Sequence, residues 1–263
     1  MQHGGFKSSC LTSCSIAYYS FLEALRNRLF LGVILLAIPL SSAAWLLDTY
    51  NLGFQVRLVT DAGLTLISLI GLLVVLFFSL DQIIPDIERR TIYFVITRAP
   101  SRHVYMAGRF GGIGLTLLFL NAFLGTMLFV ILRMRAGVWF PEVPVAMLMI
   151  YLKQLLLVSI VMMLAAFSTK IITVSLSVLI YVIGHGLDIF RMLAERKGSW
   201  LLGWLADFFI FVLPDFSLYE TRVMVMNEIP ARGTAMVLLA LYTFAAIFFY
   251  LSLGGAALEH RDL

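Results

Sequence analysis

Residues 62–80 form one continuous apolar run, AGLTLISLIGLLVVLFFSL, without a charged side chain. A helix rises about 1.5 Å per residue, so a run of this length crosses a hydrocarbon core about 30 Å thick. Inside such a core every backbone N–H and C=O group must find a partner within the protein, which a continuous segment achieves as an α-helix. The sequence therefore predicts an all-α protein embedded in a membrane.

The composition extends this prediction to the whole chain. Of its 263 residues, 61% are hydrophobic and 13% are charged, whereas soluble domains carry about 25% charged residues. No stretch of soluble-domain size remains between the apolar runs, so we expect a single transmembrane domain, residues 1–263. The six predicted spans cover approximately residues 30–47, 62–80, 106–132, 145–167, 171–190 and 234–253.

Two segments outside the spans are apolar enough to remain at the membrane. Residues 15–30 place apolar side chains opposite Glu23 and the arginines that follow it, which is typical of an amphipathic helix in the interface plane. The connector 191–233 contains an apolar stretch, residues 200–213, that is too short to cross. We expect this connector to be extracytoplasmic and to hold a re-entrant hairpin.

The distribution of Lys and Arg predicts the orientation. Six spans place both termini on one side, and that side, which also holds residues 81–109, has the larger share of Lys and Arg once the long last connector is discounted. Both termini are therefore predicted to be cytoplasmic. We attribute the net charge of +4 to contact with anionic lipid headgroups. Nucleic acid is not an expected partner, because no aromatic platform is interleaved with the basic residues.

The segment 81–105 concentrates charge between the second and third spans. Asp81 marks the predicted end of the second span, and a short amphipathic helix is expected to follow it. On its apolar side lie Ile83, Ile84 and Ile87, and on its charged side lie Asp86, Glu88, Arg89 and Arg90. Such a helix can offer charged contacts to a groove in a soluble protein. The alternative is a solvated loop whose charges only set the topology.

From Asp86 to Phe110 the chain reads DIERRTIYFVITRAPSRHVYMAGRF. This segment resembles the cytoplasmic loop of the type-2 ABC transporter permease family, which carries an acidic pair, a Gly-Thr, a leucine run, a Pro-x-Ser-Arg and a Gly-Lys that opens the third span. The matching residues are Asp86, Glu88, Thr91, Pro100, Arg102, Gly108 and Arg109. Arg90 stands where the family has glycine, the Pro100 motif is one residue tighter, and Arg109 replaces lysine.

Two further segments are similar to features of that family. The stretch LPDF at residues 213–216 resembles a Pro-Asn segment before the last span. The C-terminal EHRDL, residues 259–263, is similar to the ending of the branch that includes the copper-site maturation permeases of nitrous oxide reductase. The six-span plan with an interfacial first helix fits the same branch.

The resemblance implies a permease subunit in a bacterial cytoplasmic (inner) membrane, paired with a second permease copy as a homodimer or with a related chain. Each permease would dock on a separate cytosolic ABC ATPase, and that partner would bind ATP and Mg²⁺, so no cofactor is expected in this chain. The docking residues implied are Asp86, Glu88, Arg89, Arg90, Thr91, Arg98 and Arg102. We expect an exporter of a lipid-like or other amphiphilic substrate.

The sequence contains no catalytic constellation. It has no Gly-rich phosphate loop, no H-E-x-x-H and no G-x-S-x-G, and its four histidines are too dispersed for a metal site. We therefore expect a non-catalytic subunit. A membrane scaffold or sensor that only docks a cytosolic protein is the alternative, and a lipid-modifying membrane enzyme is disfavoured because acid–base residues are not clustered.

Polar residues within predicted spans are hypotheses for a translocation path. The candidates are Asn121, Lys153, His185 and Asp188. Each has a structural alternative: Asn121 as a helix–helix hydrogen bond, Lys153 as a side chain that reaches out to the interface, and His185 with Asp188 as a helix-end pair rather than a metal or proton site. In the third span, a close approach by another helix is predicted at Gly108, Gly111, Gly112 and Gly114.

Overall fold

A computed structural model describes residues 3–26, 52–88, 102–136, 142–197, 213–220 and 233–260. Its elements are α1 (His3–Arg26), α2 (Leu52–Glu88), α3 (Arg102–Ala136), α4 (Glu142–Phe167), α5 (Lys170–Lys197), a 3-10 turn (Ser217–Tyr219) and α6 (Gly233–His260). Within these ranges there is no β-strand. The predicted all-α fold is confirmed for this part of the chain.

Five of the helices are long and apolar enough to cross a membrane. The qualifying stretches are Val59–Pro85, Arg102–Met134, Val143–Phe167, Lys170–Leu187 and Gly233–Leu258. They correspond to the second to sixth predicted spans, so the chain has the character of a multi-pass membrane protein. The first predicted span, 30–47, lies outside the described residues, as does most of the apolar stretch 200–213.

The central helix of the bundle is α4. Its sequence is apolar around nearly the whole circumference, as expected for a helix that is enclosed by other helices. It contacts α2, α3, α5 and α6, and the side chains of Leu156, Val158, Val161 and Met162 are fully buried. The few polar groups of α4 therefore face protein on every side.

By contrast, α5 and α6 expose large apolar side chains at the surface of the bundle. Ile171 and Val182 of α5 and Phe244 and Phe248 of α6 are all more than half exposed. Lipid tails are as apolar as these side chains, so this surface suits a bilayer.

The first helix, His3–Arg26, begins before the predicted residue 15, and the last predicted residues, 27–30, lie outside the described part of the chain. It packs along the first half of α3. Glycines of α3 make the close approach possible. A Cβ atom at Gly108 would lie 3.1 Å from the backbone oxygen of Ser13, and one at Gly112 would lie 2.8 Å from that of Ala17. The predicted close approach is confirmed. Its partner is α1 at Gly108, Gly111 and Gly112, whereas Gly114 faces Leu155 of α4.

The second helix does not end at Asp81, as the sequence had led us to expect. It continues through Pro85 to Glu88; Asp81 is paired with Lys170 at 2.6 Å, and the next residues, Gln82 and Ile83, are buried against protein. The third helix begins at Arg102. The segment 81–105 therefore starts as an extension of α2 and ends as the first turn of α3.

We predict that Gly112→Ala separates α1 from α3, because the new methyl group meets the backbone of α1 and overpacking costs about 1–3 kcal/mol. Gly111→Ala is the matched control, since its Cβ would make only an ordinary contact of 3.4 Å with Ala17. Thermal denaturation in detergent should show a lower midpoint for Gly112→Ala and no loss for Gly111→Ala. Equal midpoints would contradict the proposed packing.

Candidate functional site in the helix bundle

Lys153 lies inside the bundle. Its side chain is only 4% exposed, and Nζ donates to Ser68 Oγ of α2 at 2.9 Å. The ammonium group also lies 3.5 Å from Nε2 of His185 and 5.9 Å from the ring centre of Tyr181, both on α5. The interpretation that Lys153 reaches out to the interface is wrong, because α2 and α5 cover it and supply polar and aromatic partners in place of water.

His185 connects this lysine to the surface of the protein. Its Nδ1 lies 3.3 Å from the carbonyl oxygen of Tyr181, and its Nε2 lies 3.5 Å from a carboxylate oxygen of Glu220. The imidazole ring contacts two aromatic rings, with centroid distances of 4.4 Å to Tyr181 and 5.8 Å to Phe216, and these two rings also lie 5.7 Å from each other. The side chain of Asp188, the partner expected from the sequence, lies outside the described residues.

Glu220 is a residue of the site that sequence reasoning missed. It follows the 3-10 turn in the connector, 35 positions after His185 in the chain, so no helical spacing relates the two. Only the packing of the connector against α5 brings them together.

The connector segment 213–220 is held on α5 and α6 by specific contacts. The N–H group of Phe216 donates to the carbonyl of Gly184 at 3.1 Å, and a Cβ atom at Gly184 would lie only 2.9 Å from the carbonyl oxygen of Pro214. The hydroxyl groups of Tyr219 and Thr243 are 2.6 Å apart. Burial raises the pKa of Tyr219 to about 12, so this phenol remains neutral and able to hydrogen-bond at physiological pH.

A second polar contact lies one residue further along α4. Nδ2 of Asn121, on α3, donates to Oε1 of Gln154 at 2.6 Å and to the carbonyl of Leu117 at 2.8 Å. Gln154 also fills the space over Gly71 of α2, where a Cβ atom would overlap its amide group. The hydrogen bond between helices that the sequence offered as an alternative for Asn121 is present, and it joins α3 to α4 beside α2.

An apolar groove runs between α3 and α4 on the side of Asn121. It has a volume of about 430 Å³. Leu118, Gly125, Phe129, Met147 and Tyr151 are among its lining residues. Apart from the Asn121 amide, the Thr126 hydroxyl and the Tyr151 phenol, its lining side chains are apolar.

At the end of the bundle that holds Asp81, polar contacts tie four helices together. Nη1 of Arg109, on α3, donates to Glu23 and to Ser20 Oγ of α1, each at 3.0 Å. Gln82 of α2 donates to the backbone oxygen of Ser20 at 2.8 Å. The ion pair of Asp81 with Lys170 adds α5. Arg109, which the resemblance placed at the opening of the third span, therefore anchors α1.

The predicted docking residues are only partly described. Asp86 and Glu88 lie in the last turns of α2, with side chains outside the described residues, and Arg102 opens α3 half-buried. Arg89, Arg90, Thr91 and Arg98 lie outside the described ranges.

Comparison with models of known protein families gives no match, and comparison with curated proteins gives none either. Among the described residues, no group of three or more His, Cys, Asp or Glu side chains is placed to hold a metal ion.

We predict that Asn121→Leu and Gln154→Met each lower the free energy of unfolding by about 1 kcal/mol, the size of a hydrogen bond between helices in a bilayer. The double variant should lose less than the sum of the single losses, because neither polar partner is then left alone. Unfolding in mixed detergent provides the measurement. Thr126→Val is a control, because its hydroxyl bonds only to Ala122 of the same helix on an exposed face. Additive losses would contradict the pairing.

Proposed function

We propose that this chain is the membrane-spanning, non-catalytic subunit of an ATP-driven ABC transporter, docked on a cytosolic ATPase through residues 81–105. The observation that carries the proposal is the continuity of α2. This single helix of 37 residues has Asp86 and Glu88 at one end and Ser68, the partner of the buried Lys153, in its middle.

The length of α2 supports a mechanical role. Ser68 and Glu88 are 20 residues apart in one helix, which corresponds to about 30 Å along its axis. A force applied by an ATPase at Glu88 would tilt α2 against α4, because a packed helix moves as a rigid body. Such a tilt acts directly on the contacts of Ser68 with Lys153 and of Gly71 with Gln154.

The contacts at the Asp81 end support the same role. Arg109 and Gln82 join α1 to α3 and to α2, so the three helices would respond to a docked protein as one unit. Of the proposed docking residues, Asp86 and Glu88 lie at the end of α2 and Arg102 lies at the start of α3. Arg89, Arg90, Thr91 and Arg98 belong to the sequence between the two helices. In this proposal the docking end and both termini are cytoplasmic, in a bacterial inner membrane.

The polar residues within the spans support a path for a solute. Ionisable groups are costly at membrane depth and mark pathways in transport proteins. The candidate path residues are Asn121, Lys153, His185 and Asp188. The apolar groove between α3 and α4 supports an amphiphilic or lipid-like substrate, and export is the proposed direction.

We also propose a topology and a set of partners for this chain. A first span at 30–47 would complete six crossings, and the connector 191–233 would be extracytoplasmic with a re-entrant hairpin. The exposed apolar side chains of α5 and α6 leave surface for lipid and for a second permease copy, identical or related. ATP and Mg²⁺ would be bound by the ATPase partner, and no cofactor is proposed for this chain.

The docking proposal predicts that the double charge reversal Glu88→Arg with Arg89→Glu removes the ATPase while the permease stays folded. The tagged chain would be purified in mild detergent from its native membranes, and ATP hydrolysis and the co-purifying ATPase subunit would be measured. We expect loss of both by about tenfold or more, because breaking charge pairs at an interface costs several kcal/mol.

Arg133→Glu is the matched control, since Arg133 is an exposed residue near the other end of α3. It should leave ATPase binding unchanged. If a cytosolic protein without a phosphate-binding loop is retained instead, the scaffold or sensor function replaces transport. Unchanged assembly and hydrolysis in the double variant would refute the docking site.

A further inference from the structure

One nitrogen atom of His185 contacts two groups of opposite charge. Its Nε2 is 3.5 Å from Nζ of Lys153 and 3.5 Å from Oε1 of Glu220. Lys153 is 4% exposed, whereas the His185 and Glu220 side chains are 22% and 39% exposed. Exposure thus increases from the Lys153 ammonium group inside the bundle, through His185, to Glu220 at the surface of the protein.

The other ring nitrogen determines which proton His185 carries in its neutral form. Nδ1 lies 3.3 Å from the carbonyl oxygen of Tyr181, and a carbonyl oxygen can only accept a hydrogen bond. The proton of the neutral ring therefore lies on Nδ1, and Nε2 has a free lone pair. In this form Nε2 accepts from the Lys153 ammonium group and has nothing to donate to Glu220.

Protonation reverses the role of Nε2. A hydronium ion gives its proton to the Nε2 lone pair and leaves as water, so the ring gains one positive charge and no other covalent bond in the protein changes. Nε2–H can then only donate, and Glu220 is the acceptor beside it. Lys153, which has no lone pair as an ammonium group, loses this partner, gains a like-charged neighbour and keeps Ser68 Oγ as an acceptor.

We propose that His185 is a proton-binding site whose Nε2 contacts Lys153 when the ring is neutral and Glu220 when the ring is protonated. This inference goes beyond the proposed transport function and needs no ATPase. Among the described contacts of the ring, the titratable or charged groups are Lys153 of α4, Glu220 of the connector and Tyr181 of α5 itself. Asp188, three residues further along α5, has its side chain outside the described residues.

The exchange of partners links the connector to the centre of the bundle. Phe216 stacks on His185 and its N–H group bonds to Gly184, while the N–H group of Glu220 donates to the Ser217 carbonyl at 2.9 Å. A protonated His185 would add an ion pair to this docked segment and withdraw a contact from Lys153. Low pH would therefore tighten the connector on α5 and loosen the link between α4 and α5.

Hydrogen–deuterium exchange of the full chain in lipid nanodiscs tests this site. Exchange of the peptide that contains residues 213–220 would be followed from about pH 5 to pH 8, the range in which histidine titrates, with correction for the intrinsic pH dependence. We expect exchange to slow by roughly two- to fivefold as the pH falls, which is the protection given by a partly exposed ion pair.

Four variants distinguish proton binding at His185 from an effect of packing alone on the exchange of residues 213–220. His185→Gln and Glu220→Gln should each abolish the pH-dependent step, and Lys153→Gln should extend the protection to higher pH because the competing cation is gone. His103→Gln, a change at an exposed histidine of α3, should keep the wild-type profile. Glu220 is near the surface, so Glu220→Gln decides the question even if Lys153→Gln does not fold. A flat wild-type profile, or a step that survives in Glu220→Gln, would overturn the proposal.

Discussion

The burial of the Lys153 ammonium group is the constraint on which much of this bundle depends. A charge at membrane depth must be solvated by the protein, since lipid tails offer no polar partner. Here the solvation comes from Ser68 on α2 and from His185 and Tyr181 on α5. The positions of α2 and α5 around the central α4 are therefore set by polar contacts as well as by packing.

Small residues allow those polar contacts to form. Gly71 leaves room for the Gln154 side chain between α2 and α4, and Gly184 leaves room for Phe216 and the backbone of the connector over α5. The same principle operates at the other end of the bundle, where Gly108 and Gly112 admit α1 against α3. Close approach of backbones replaces the hydrophobic effect as the main organising force between helices within a bilayer.

Helix α2 contributes to two polar regions, one at an end of the bundle and one in its middle. The contacts of Ser20, Gln82 and Arg109 lie at the end that holds Asp81, and the contacts of Lys153 lie in the middle of the bundle. Because α2 is one continuous helix, a tilt of α2 in the proposed transporter would act on both regions. In the proposed transporter, α2 would connect a docked ATPase to Lys153 in the interior of the bundle. The proposed proton site contacts Lys153 from α5 instead, so protonation of His185 would change the contacts of Lys153 independently of the ATPase.

The predictions from sequence succeeded where one local pattern was sufficient. The lengths of the apolar runs predicted the five helices that are able to cross a membrane. The spacing of the glycines in α3 predicted that another helix approaches α3 closely. They failed where a distant residue changed the local outcome. Asp81 does not end α2, because the next turn packs against α1, where the buried Gln82 donates to the backbone oxygen of Ser20. Lys153 does not reach the interface, because α2 and α5 enclose it.

By itself, the sequence determined that this is an all-α membrane protein, since long apolar runs can satisfy their backbone groups in lipid only as helices. It also determined which few polar side chains would have to be accommodated inside the spans. Only the tertiary structure decided which groups accommodate them. Lys153, Ser68, His185 and Glu220 lie on four separate segments, and no spacing along one helix encodes contacts that arise when those segments pack together.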